Sequence, residues 1–134
     1  MLTPIPLLII PLALYNIVVF LTPGVDWDTI LTTVQMMSGA KWEISLAEGF
    51  IAFSLFVLFF EILKSTRISS RSLIDHMLSM LIFIIGLVEF LLVPQAGNST
   101  FGLLLCIMLV DVVAGFSVSV RVAQRDVAFE ARPD

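Results

Sequence analysis

Four apolar runs, at about residues 5–21, 44–63, 73–93 and 101–120, constrain this chain more than any other feature. A helix needs about 20 apolar residues, within a range of about 17–25, to cross the hydrocarbon core of a bilayer. All four runs qualify, the first only just. Inside lipid each segment must satisfy its own backbone N–H and C=O groups, so runs of this length read as helices. The sequence predicts an all-α integral membrane bundle of four transmembrane helices, one domain over residues 1–134. Apolar residues make up 59% and charged residues 13%, with a mean hydropathy of +1.07. Soluble domains are roughly half apolar and a quarter charged.

The first run reads as a retained span. Residues 1–6 carry no Lys or Arg, and the run ends Leu21-Thr22-Pro23-Gly24 without a small-x-small cleavage site. Pro11 is expected to kink it. Basic residues set the orientation. Lys64, Arg67 and Arg71 separate runs two and three, and Arg121, Arg125 and Arg132 follow run four. Residues 94–100 carry no charge, and the first loop has Asp26, Asp28 and Glu43 against Lys41. The positive-inside rule then makes both termini cytoplasmic, in a membrane of the bacterial inner-membrane type. The lipid bilayer is the first partner expected.

The first loop carries a helical pattern. Asp26 is placed to cap a helix ending near Gly39, with Trp27, Ile30, Leu31, Val34 and Met37 forming one apolar stripe. A short amphipathic surface helix is expected over about residues 26–38, with Trp27 and Trp42 as interface residues at headgroup depth. It either packs over the bundle or offers a lid or docking surface. Ser99 or Thr100 is expected to cap the fourth helix, and the polar tail 124–134 to fray at its end.

The chemistry lies in polar residues at membrane depth: Glu48 and Glu61 in run two, Glu89 in run three, Asp111 in run four and Asn16 in run one. An Asp at the bilayer centre costs at least about 2.5–3.5 kcal/mol, so such groups are expected to face the bundle interior or a water-filled cavity. At 1.5 Å rise per residue they order from outside to inside as Glu48, then Glu89 and Asn16, then Asp111, then Glu61. Glu48 and Glu61 are thirteen residues apart, about 140° around a helix, and cannot line one narrow path. Asp111 shares its face with Gly115 and, less closely, Ser119, a small-residue stripe that suits close helix packing. Two uses compete for these acids. They relay protons or bind a cation, or they hydrogen-bond across helix interfaces and snorkel to water.

Other classes are excluded by what the chain lacks. One Cys (Cys106) and one His (His76) rule out an intrachain disulfide, a bis-histidine haem and a three-histidine zinc site. A net charge of −4 argues against nucleic acid as a partner. There is no phosphate-binding glycine pattern, HExxH or CxxC, and no cofactor or metal is expected. Catalysis by acids without a metal or His is disfavoured. The leading expectation is a small non-catalytic membrane subunit. It assembles with itself as a homo-oligomer, or with a larger membrane protein complex, through interfaces containing buried acids. The alternative is an oligomeric proton or cation channel, or an ion-coupled transporter, using the intramembrane carboxylates.

Overall fold

The computed structural model describes residues 5–65 and 70–130. Its elements run α1 (Ile9–Leu21), β1 (Ile30–Gln35), β2 (Lys41–Ser45), α2 (Leu46–Ser65), α3 (Ser70–Leu92), a 3-10 turn (Pro94–Ala96) and α4 (Ser99–Glu130). Three helical stretches, Leu46–Lys64, Leu73–Leu92 and Ser99–Val118, are long and apolar enough to cross a membrane. The chain is therefore largely helical with three candidate spans. The first run forms a shorter apolar helix of 13 residues, about 20 Å at 1.5 Å per residue, against a hydrocarbon core of about 30 Å. Prolines explain the shortening. Helix hydrogen bonding begins only at Ile9 and Ile10, whose N–H groups donate to Pro6 and Leu7. Pro11 thereby falls in the first turn, where its missing N–H costs nothing, and not at a mid-helix kink.

The first loop corrects the sequence expectation. No surface helix covers 26–38; the chain forms an antiparallel β-hairpin instead. Ile30-Leu31-Thr32-Thr33-Val34 is rich in β-branched residues, which suit a pleated surface better than a helix. Gly39 takes φ +91°, the left-handed conformation that closes the turn. The Gly39 N–H donates to Met36 O at 3.0 Å and the Met36 N–H to Ala40 O at 2.8 Å. Asp26 makes a local turn, its carboxylate accepting from the Asp28 N–H at 2.9 Å, where a helix cap was expected.

The hairpin runs directly into α2. The Leu46 and Ala47 N–H groups donate to Thr29 O and Trp27 O at 2.8 and 2.9 Å. Ser45 and Glu48 form a capping box: the Glu48 N–H donates to Ser45 Oγ at 3.2 Å, and the Ser45 N–H to Glu48 Oε1 at 3.1 Å. Ser45→Ala is expected to cost about 1 kcal/mol in thermal unfolding in detergent. Asn98, one residue earlier than expected, caps α4, its Oδ1 accepting from the Phe101 N–H at 3.0 Å.

α4 is the central helix, packed along α2 and α3, with α1 laid more lightly against α2 and α4. The shared core includes Leu12, Phe50, Ile82, Phe101, Leu104 and Met108. On α3, Gly86 admits Leu105 so closely that a Cβ there would lie 3.0 Å from its Cδ2. α4 continues beyond its apolar stretch to Glu130; the end of the tail, residues 131–134, where fraying was expected, lies outside the described residues. Arg67 and Arg132, used in the orientation argument, also lie outside them.

Candidate functional site

The sequence places Glu61 and Lys64 one turn apart near the end of α2, Asp75, His76 and Ser79 within one turn on α3, and Asp111 and Gly115 one turn apart on α4. Folding brings these turns together. Lys64 Nζ lies 3.4 Å from Asp75 Oδ1 and 3.6 Å from Glu61 Oε2. It also donates to Ile5 O at 2.5 Å. Glu61 is 2% exposed, and its Oε2 accepts the Leu7 N–H at 2.6 Å. Asp111, 4% exposed, is hydrogen-bonded by the Ser79 hydroxyl and lies within electrostatic reach of Asp75 and Glu61. His76 packs its ring over Gly115, where an added Cβ would sit 2.5 Å from Cε1.

Two carboxylates therefore flank one ammonium, with Asp111 and the His76 imidazole nearby. All these contacts but the Lys64–Glu61 pair, which lies within α2, also join two segments. Leu7 and Ile5 tie the start of the chain to α2, Lys64 ties α2 to α3, and Ser79 ties α3 to α4. Among the described residues, no group of three His, Cys, Asp or Glu side chains is arranged to hold a metal ion. No buried side-chain nitrogen or oxygen among them lacks a hydrogen-bond partner.

A second polar group lies toward the hairpin end. Asn16 Nδ2 donates to Glu89 Oε1 at 3.2 Å and to Leu12 O at 2.9 Å. Next to it Tyr15, fully buried, donates its hydroxyl to Gln95 O at 2.9 Å and accepts from Asn98 Nδ2 at 2.6 Å. The Tyr15 ring stacks parallel to Trp27 at 5.0 Å and meets Phe101 edge-on at 4.9 Å. Ser79 and Glu89 are ten residues apart on α3, about 15 Å along the axis. Buried Leu12, Ile82, Leu105 and Met108 belong to the core between these levels.

The structure thus gathers Glu61 with Asp111, pairs Glu89 with Asn16, and leaves Glu48 apart as an exposed helix-capping residue. Its capping role was readable in Ser45-x-x-Glu48. Gly115 is used within the chain, by His76. Ser119 lies further along α4, and its side chain is outside the described residues. Trp27 is half-buried against Tyr15 and Phe50, whereas Trp42 is exposed. Asp75 is buried, His76 is half-buried and Cys106 is exposed. Ser79 and Asn98 were missed as partners of Asp111 and Tyr15. The i, i+4 pair Asp75 and Ser79, set against Asp111, was the available signal.

These features define a helical protein with three helices suited to a bilayer and a carboxylate cluster buried among them. No family model matches the chain, and neither a curated protein nor a solved structure is detectably similar to it.

Proposed function

We propose that the chain is a small non-catalytic integral membrane subunit whose deep acids tie its own helices together. The carrying observation is that Glu61, Asp111 and Glu89 each contact another segment of the same chain through a polar partner. They are engaged inside the bundle, which moves the assembly surface away from Asp111–Gly115 to the apolar exterior. In this reading a rigid four-span unit, with both termini on the cytoplasmic side, presents that exterior to copies of itself or to a larger membrane complex.

A second reading is favoured by the excess of acid over base around Lys64. Glu61, Asp75 and Asp111 would exchange protons with the side of the membrane bearing the basic loops. The layer of about 15 Å between this cluster and Glu89 is apolar but for Ser54, whose hydroxyl donates to Phe50 O, and it argues against a continuous path through one copy. The two readings separate in proteoliposomes. The subunit reading expects wild-type proton flux no higher than in lipid alone, with Asp111→Asn lowering the unfolding temperature. Wild-type flux above that background, abolished by Asp111→Asn in a protein that melts normally, would establish the proton pathway instead.

A further inference from the structure

The hairpin has two chemically distinct faces, and among the described residues nothing covers the apolar one. In its register Val34 pairs with Trp42 and Thr32 with Ile44, while Thr33 pairs with Glu43 and Gln35 with Lys41. Pairs alternate faces along a ladder. Val34, Trp42 and Ile44 therefore share one face with Thr32, and both charges lie on the other with Thr33 and Gln35. Trp42 is 52% exposed and Val34 41%, and Met37 at the tip is fully exposed.

The hairpin's position supplies the occupant. β2 ends at Ser45 and the candidate span begins at Leu46, without a linker. Leu31 reaches down to α2, its Cδ1 3.5 Å from where a Gly49 Cβ would be, so the base of the hairpin sits level with the first turn of the helix. Trp42 lies two residues beyond Ile44, about 7 Å along the strand. The headgroup layer is roughly 5–8 Å thick on each side of the hydrocarbon. An uncharged face carrying an indole at that height matches the chemistry of the lipid boundary, where Trp concentrates.

We propose that the Val34–Trp42–Ile44 face of the hairpin seats in the headgroup–acyl boundary of the bilayer beside α2, with Lys41 and Glu43 turned to water. The inference rests on α2 residing in a membrane and is independent of the subunit reading. The test uses the full chain in phosphatidylcholine vesicles, with vesicle flotation reporting membrane incorporation separately. Trp27→Phe leaves Trp42 as the sole indole. Its emission is expected to be blue-shifted and mostly quenched by lipids brominated near the headgroup end of the acyl chain. Should Trp27→Phe fold poorly, the difference between wild type and Trp42→Phe isolates the same signal. Emission in floated vesicles that stays water-like and ignores brominated lipid would overturn the proposal. So would emission shielded from acrylamide that ignores brominated lipid and reddens on dilution into excess lipid, because a second copy would then be the occupant.

Discussion

Lys64→Met is expected to be among the most damaging single substitutions in this chain, costing about 3–5 kcal/mol. Lys64 is the cation that bridges Asp75 and Glu61, and it also holds the Ile5 carbonyl. A methionine fills the same volume but leaves two buried carboxylates facing each other without a counter-charge. Neutralising them should recover much of the loss, so Lys64→Met with Glu61→Gln and Asp75→Asn is expected to melt well above Lys64→Met alone. Chemical unfolding in detergent, read as a cycle over these variants, measures the coupling directly. A Lys64→Met protein within about 1 kcal/mol of wild type would mean that the cluster does not hold the helices together.

Tyr15→Ala carries the second large effect, about 3–5 kcal/mol as for other aromatic truncations in a core. The ring is fully buried between Trp27, Phe50 and Phe101, and its hydroxyl joins α1 to the connection between α3 and α4. Tyr15→Phe separates the two contributions. It keeps the ring contacts and loses one donor and one acceptor, an expected loss of about 1 kcal/mol. Asn98 still donates to Gln95 O at 3.2 Å in that variant, which limits the damage. Thermal unfolding of both proteins, followed by the fluorescence of Trp27 against the ring, checks the order Ala far below Phe.

The long elements were readable because lipid-length apolar runs leave few alternatives. Three of the four runs became helices of membrane length. Constant helical rise put Asn16 level with Glu89 and Asp111 closer to Glu61, and the contacts agree with those two neighbourhoods. The hairpin was not readable by period alone. Ile30, Leu31, Val34 and Met37 fit a helical stripe, yet Val34 and Trp42 meet across strands because β-branching and the Gly39 turn outweighed the stripe. Proline chemistry, weighed as a kink at Pro11, acted earlier by delaying the helix start to Ile9.

The candidate site was half legible. The deep acids were identifiable by cost, because Glu61 and Asp111 could not reside in lipid unpartnered. Their partners were obscured for two reasons. Lys64, Asp75 and His76 flank a loop, where residues of these types are usually solvated. Leu7 contributes a backbone N–H, which leaves no trace in side-chain pattern. Glu48 was read from its depth, and its local partner Ser45, three residues earlier, was not considered.

The central claim is that this chain acts by assembly, with its acids turned inward. Purification from native membranes in a mild detergent, through a tag at the C-terminus, tests it most directly when followed by native mass measurement. Assembly predicts a reproducible fixed-ratio complex, either with a larger membrane protein or as a closed homo-oligomer. A monomer that carries lipid and detergent but no protein partner in any preparation would contradict it.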